Sequence, residues 1–252
     1  MEMKFTTVAE AKRLTGLSYL AKCNHTAKHK KAYKYDELVY SLYLAPAKMS
    51  GYEVCPMRNK HCTNLCLNES GHNRIDIHEN KINQSRITKT KLFFENRQFF
   101  MEWMIYEINF YKNKAKKLGY NFSVRLNNTS DLSPESFYID IDGTKKNILQ
   151  LFPDVQFYDY TKVFKRTDLV KKYKNYDLTF SYSGTNMDEC VQAMDKKIRV
   201  AVVFEGLPTT FWNRKVVDGD KYDMRYYDRK NIIVGLKFKK VRKKLVKNPF
   251  VV

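Results

Sequence analysis

From residue 122 onward the chain repeats one rhythm, a short apolar run followed by a helical or irregular stretch and then another apolar run. The apolar runs fall at 122–126, 155–158, 177–181, 200–204 and 232–238, with helical character at 147–152, 168–173 and 187–196. Intervening segments of that length join parallel neighbours, whereas hairpins need only a few residues. Residues 37–45, ELVYSLYLA, read as an earlier strand stopped by Pro46, which cannot donate to a sheet ladder. Six such strands predict an α/β fold. The sheet is expected to be mainly parallel and to form an incomplete (β/α)6 barrel-like structure rather than a closed (β/α)8 barrel, with a cysteine-bearing loop after the first strand.

Between the first and second strands lies the strongest helical signal. Residues 80–118 contain no Gly or Pro and place Phe99, Phe100, Trp103, Met104, Tyr106, Ile108, Phe110 and Tyr111 at helical spacing. Two helices are expected, with Asn96 capping the second and Gly119 ending it. Their aromatic stripe belongs to the core. Residues 1–36 are basic and predict a helix at 8–15 followed by an irregular arm. Residues 37–252 predict a single α/β barrel-like domain carrying the metal site.

Charge narrows the function classes. The chain has a net charge of +19, which implies attraction to polyanions, DNA or RNA before anionic membrane. Basic residues gather at 22–31 and again at Lys237, Lys239, Lys240, Arg242, Lys243, Lys244 and Lys247. No run approaches the apolar length of a membrane-spanning helix. The first residues lack the apolar core of a signal peptide. A cytoplasmic location is therefore expected, with cysteines kept reduced.

Three of the five cysteines lie within twelve residues, as Cys55-Pro-Met-Arg-Asn-Lys-His-Cys62-Thr-Asn-Leu-Cys66. An odd number of clustered thiols in a reducing compartment points to a soft metal rather than to disulfides. An iron-sulfur cluster, of the 4Fe-4S type, accepts three protein thiolates with one iron left open or otherwise ligated. A structural zinc needs a fourth protein ligand, for which His72, His25 and Cys23 are the candidates, since His61 adjoins Cys62. Cys190, in a predicted helix, reads as a packing residue.

Polar residues follow each strand, and parallel α/β sheets place their functional groups at the C-terminal strand ends. Arg125, Asn127, Asp131, Asp159 and Lys162 are the candidate cofactor-binding residues on that edge, which the cysteine loop should share. A magnesium-dependent nuclease using Asp131, Asp159, Asp218 and Asp220 is a further option, although their spacing matches no recognised motif.

Several stretches together resemble the phage-encoded gene product 88 family over residues 40–240. They are Tyr43-Leu44-Ala45-Pro46-Ala47, Ser50-Gly51-Tyr52-Glu53-Val54-Cys55-Pro56, then Cys62, Cys66 and Leu67, and Arg125-Leu126-Asn127 with Thr129-Ser130-Asp131. To these add Phe152-Pro153-Asp154-Val155-Gln156-Phe157-Tyr158-Asp159-Tyr160-Thr161-Lys162, Val217-Asp218-Gly219-Asp220, Asp223, Arg225 and Ile233-Val234-Gly235-Leu236-Lys237. The resemblance implies a phage origin and the cytoplasm of an infected bacterium. In architecture the chain is also similar to the core of radical S-adenosylmethionine enzymes, which implies an open-iron cluster on Cys55, Cys62 and Cys66. Its cysteine spacing departs from theirs, and no glycine-rich segment follows the second strand.

Overall fold

The computed structural model describes residues 3–66, 81–141, 143–239 and 248–252. Two short elements open the chain, helix α1 (Val8–Thr15) and strand β1 (Lys22–Cys23), before the first long strand, β2 (Glu37–Ser41). After the cysteine segment with its short helix α2 (Lys60–Asn64) come α3 (Lys81–Glu95) and α4 (Arg97–Leu118). Gly119 closes α4 in the left-handed conformation, φ +68°, as the sequence anticipates. Asn96 stands at the start of α4 but makes no side-chain cap there.

The alternation then proceeds. Strand β3 (Asn121–Arg125) leads through a hairpin, β4 (Tyr138–Ile141) and β5 (Thr144–Asn147), and α5 (Ile148–Leu151) to β6 (Gln156–Thr161). Helix α6 (Leu169–Lys172) precedes β7 (Tyr176–Ser181), and α7 (Met187–Asp195) precedes β8 (Arg199–Phe204). The last strands are β9 (Thr210–Phe211), β10 (Arg214–Asp218) and β11 (Ile233–Lys237).

Nine strands form one sheet in the order β1-β2-β3-β6-β7-β8-β11-β10-β9. All neighbours from β2 to β10 pair in parallel, and only β1 and β9, at the two edges, run antiparallel. Among the described residues no pairing joins the two edges, so the sheet is not a closed barrel.

The strands 37–45 and 155–158 read from sequence differ at their ends from β2 and β6. β2 leaves regular pairing at Ser41, although Leu42 N still donates to Arg125 O at 3.0 Å. β1, the β4–β5 hairpin, β9 and β10 were not legible as apolar runs. β1 and β9 are two residues long, and β5 reads Thr-Lys-Lys-Asn with three exposed positions.

Register sorts side chains between two faces, because residues alternate along a strand. On one face Tyr40, Val124, Phe157 and Leu178 pack against Phe99, Phe100, Trp103, Met104 and Ile108 of α4. Tyr106 and Phe110, read from sequence as part of the same core stripe, are exposed instead, because they turn away from the sheet on the outer side of the helix. A second apolar cluster on the same face of the sheet joins Phe180, Val200, Val202, Phe204 and Ile233 to Cys190, Ala193 and Met194 of α7. The N-terminal segment belongs to the same core through Ala11, Leu17, Leu20 and Ala21. Buried Glu107 of α4 anchors it, accepting Leu20 N at 2.8 Å, Ala21 N at 2.9 Å and Tyr40 OH at 2.7 Å.

The opposite face is unlike the first. It carries Ser41, Ser123, Arg125, Tyr158, Tyr160, Asp177, Thr179 and Arg199 and is nonetheless largely buried. A 3-10 turn, His29–Tyr35, and the segment 219–232 cover it, meeting in a small cluster of Ala32, Val39, Tyr158 and Met224. Buried polar groups require partners, and those partners define the site below.

Candidate functional site at the C-terminal edge of the sheet

The cysteine segment lies across the ends of several strands. Val54 is fixed by its N–H to Ala47 O at 3.2 Å and by Asp131 N, which donates to Val54 O at 2.7 Å. Cys55 Sγ then reaches Thr129 O at 3.8 Å, beyond β3. Asn59 caps α2, accepting Cys62 N at 2.9 Å, and its amide donates to Ser183 O and Thr185 Oγ1, both at 3.0 Å, beyond β7. Asn248, near the chain end, donates to His61 O at 3.2 Å. Gly184, φ +95°, makes room for that terminal strip, since a Cβ there would stand 2.9 Å from Phe250 N.

None of the cysteines forms a disulfide, and Cys55, Cys62 and Cys66 are all half-buried. Burial pushes the Cys55 thiol up to about 11, while nearby Lys162 pulls the other way. Arg58, which pairs with Glu53 at 2.8 Å, lies within electrostatic reach of Cys55 and Cys62, and Arg86 within reach of Cys66. Among the described residues no three His, Cys, Asp or Glu groups are already arranged around a common metal position.

The candidate fourth ligands differ in setting. His72 lies outside the described residues. Cys23 packs against the α4 core and Cys190 within the α7 core. His25 approaches Lys22 O at 3.2 Å and sets its ring edge-on to Tyr43.

The five polar candidates divide between the two faces. Asn127, Asp131 and Asp159 meet on the helix side. Asn127 donates its N–H to Asp159 Oδ1 at 2.7 Å and its amide to Oδ2 at 3.1 Å. Lys162 N donates to Asp131 Oδ2 at 2.7 Å. Arg166 binds Asp131 Oδ1 at 2.8 Å and Glu135 Oε1 at 3.1 Å, and also contacts the Tyr176 hydroxyl. Tyr176 in turn donates to Asp159 Oδ2 at 3.0 Å. Burial pushes the Asp159 carboxyl up to about 6, against the opposing pull of Arg166 and Asn127. This network locks the loops after β3 and β6 together.

Arg125 turns the other way, to the polar face, where it meets Lys28 and His29 of the basic N-terminal arm together with Tyr158 and Asp223. The carboxylate of Asp223 is wholly buried. Its Oδ2 accepts from Arg125 Nη1 at 2.6 Å, His29 Nε2 at 3.0 Å and Tyr158 OH at 3.0 Å, and Oδ1 lies 2.8 Å from Lys28 Nζ. A His29 ring protonated at Nε2 leaves Nδ1 to accept from Ser41 Oγ, 2.9 Å away. Burial alone would raise the Asp223 carboxyl, but Arg125, Lys28 and His29 hold it well below the usual range. Burial also disfavours the charge on Lys28, yet Asp223 outweighs it and the ammonium is held more firmly than usual. The Arg125 guanidinium stands 4.7 Å from the Tyr160 ring centre, with Lys28 Nζ 5.9 Å from the same ring.

Further along this face Arg199 pairs with Asp177 at 2.6 Å, and Arg225 with Asp228 at 2.9 Å. Asp218 and Asp220, the remaining nuclease candidates, bind locally. Asp218 Oδ1 accepts Asp220 N at 2.8 Å, and Asp220 Oδ2 accepts Lys237 N at 3.0 Å.

Among the described residues no helix is long and apolar enough to cross a membrane. The family model described as gene product 88 matches residues 14–248, taking in the cysteine segment and all the strands of the sheet. No curated protein and no solved structure matches the chain.

Proposed function

The chain belongs to the phage gene product 88 family, and we propose that it is an iron-sulfur protein in which Cys55, Cys62 and Cys66 ligate one cluster at the C-terminal edge of the sheet. One observation carries this reading. Three half-buried thiols without disulfides sit on a single segment that hydrogen bonds to the loops after both β3 and β7, with Arg58, Lys162 and Arg86 within electrostatic reach. Ligation requires thiolates, and a cluster bearing them is anionic, so neighbouring cations favour both deprotonation and retention. When bound, such a cluster supplies one-electron chemistry or, with one iron open, a coordination position. Thr129 O and Asn59 position the ligating segment, and Lys162 and Arg86 offset its charge.

The scaffold is read as a partial barrel. From β2 through β3, β6, β7 and β8 each strand adds beside its predecessor in one direction, and only then does β10 fall two places out, with β11 filling the gap between them. The wiring up to β8 is the one a (β/α) barrel uses, whereas doubly wound sheets reverse at a switch point. Arg125, Asn127, Asp131, Asp159 and Lys162 are proposed as the cofactor-binding set, Arg125 from the polar face and Asn127, Asp131 and Asp159 from the helix side of the same strand ends. The chain's positive surface is proposed to engage DNA or RNA in the cytoplasm of the infected host. Part of the C-terminal lysine cluster, residues 240–247, lies outside the described residues.

Purification without oxygen, with iron, zinc and acid-labile sulfide quantified, tests the proposal. A brown protein containing iron and sulfide is expected, with both lost when Cys55, Cys62 and Cys66 are replaced together by Ser. One zinc with neither iron nor sulfide overturns it in favour of a zinc-stabilised module. Reductive cleavage of S-adenosylmethionine by the iron-loaded protein would extend it to a radical enzyme. Nucleic-acid binding that weakens steeply with salt supports the surface reading.

A further inference from the structure

The charges around Asp223 do not balance. On the same face Asp228 serves Arg225, and Asp177 serves Arg199 together with Lys230, whose side chain is half exposed to water. At Asp223 one carboxylate serves both Arg125, whose side chain is 11% exposed, and Lys28, 29% exposed. Lys230 can shed its charge into water, whereas Arg125 is largely buried and Lys28 only partly exposed, so the second positive charge at Asp223 favours a further anion.

Unused donors lie at the same place. Arg125 Nε and the Tyr160 hydroxyl are both buried and have no hydrogen-bond partner among the described residues. The Arg125 guanidinium lies 4.7 Å from the centre of the Tyr160 ring, so the two residues that carry these groups are neighbours. Buried donors left unpaired cost free energy in a finished structure. Arg125 ends β3 and Tyr160 is near the end of β6, so both stand at the strand ends where parallel sheets bind ligands.

We propose that Lys28, Arg125 and Tyr160 form a binding site for the oxyanion group, carboxylate or phosphate, of a small molecule, with Asp223 and His29 as the residues that position the cations. A guanidinium offers its N–H groups in a planar fork that matches two oxygens, and the ammonium adds a point charge from the side. The low exposure of both cations selects a small ligand over a nucleic-acid backbone, which needs an open surface. The oxyanion site does not require the cluster proposed above, although Arg125 belongs to both readings.

Calorimetric titration of the full chain with inorganic phosphate, and separately with malonate, tests the site. Saturable binding of one anion per chain is expected, and the tighter of the two probes identifies the ligand's oxyanion as phosphate or carboxylate. Lys28→Met should weaken binding by about tenfold or more, as loss of a charged hydrogen bond does. Lys145→Met, removing one equal charge from the exposed β5 hairpin, should leave it unchanged. Tyr160→Phe removes only an unpartnered hydroxyl, so it should fold at least as stably as the parent while binding several-fold more weakly. Absence of saturable binding to both probes overturns the proposal, as does equal weakening by Lys28→Met and Lys145→Met, or undiminished affinity in Tyr160→Phe.

Discussion

Replacing Asp223 by Asn tests whether the polar face is held together by one carboxylate. The side chain is completely buried and receives Arg125, His29 and Tyr158 at 2.6, 3.0 and 3.0 Å, with Lys28 at 2.8 Å. The amide is nearly isosteric, so no cavity forms, but it turns two N–H groups toward donors and leaves two cations without a counter-ion. Breaking one side of a buried ion pair costs about 3–5 kcal/mol. Lys28, at 29% side-chain exposure, can turn toward water, which places the expected loss near the lower end, about 3 kcal/mol. For a chain of this size each kcal/mol moves Tm by about 2–4 °C, so a fall of about 6–12 °C is expected.

The effect should also be local. Asp223 lies in the segment 219–232, and its bonds reach across 194 residues to His29 and 98 to Arg125. Amide exchange should therefore accelerate first at residues 222–228. The double variant Asp223→Asn with Lys28→Met should lose about 1 kcal/mol less than the two single losses added, because one stranded charge is gone. Acid should separate the proteins as well. A carboxyl held below its unfolded value of about 3.9 contributes stability that is present above that pH and lost as pH falls through the folded value. That acid-labile contribution should vanish in Asp223→Asn. A stability loss under about 1 kcal/mol, or unchanged exchange at 222–228, would refute the argument.

Three other perturbations follow from the same structure. Asp159, raised from 3.8 to about 6 by burial, keeps its proton longer when folded, so its contribution falls as pH rises between those values. The difference of about two units corresponds to about 3 kcal/mol, and urea titrations across that window should show the slope disappear in Asp159→Asn. Glu107→Ala strands Leu20 N, Ala21 N and Tyr40 OH. A loss of at least about 3 kcal/mol is expected, with amide protection at residues 20 and 21 failing ahead of the rest of the fold. Gly184→Ala combines φ +95° with a Cβ 2.9 Å from Phe250 N. It should cost about 1–3 kcal/mol and expose the amide of Glu205, which now donates to Val252 O at 3.0 Å.

Periodicity made the parallel core readable, because Val124, Phe157, Leu178, Val200 and Ile233 each sit in an apolar run and face helices that carry their own stripe. It failed for β5, where Thr144, Lys145 and Lys146 are exposed and only backbone pairing makes a strand. The strand-end rule located Arg125, Asn127, Asp131, Asp159 and Lys162 on one edge, but it could not say that Arg125 would face away from the others. Lys28 and His29 were hidden for a different reason. In a lysine-rich stretch each cation looks solvated, and only the distant Asp223 distinguishes these two. The one local hint was His29 itself, a titratable ring set among Lys28, Lys30 and Lys31.

This error bears on the partner question. If many of the chain's cations were sequestered alone, its net charge would say little about its surface. The deep groups instead include carboxylates as well as cations: Arg166 meets Asp131 and Glu135, Arg199 meets Asp177, Arg225 meets Asp228 and Arg125 meets Asp223. Buried Arg86 and Lys89 are offset in number by buried Glu37 and Glu107. Burying both signs together removes almost no net charge from the exterior, so nearly all of the +19 remains where a polyanion can feel it. The long-range field of the protein is thus a surface property, whereas the local excess at Lys28 and Arg125 is small and recessed. A salt series separates them. Binding of a long nucleic acid should weaken with a steep logarithmic slope, because many counter-ions are released. Phosphate binding at Lys28 and Arg125 should show a slope smaller by several-fold, and equal slopes would mean that the two are the same diffuse attraction.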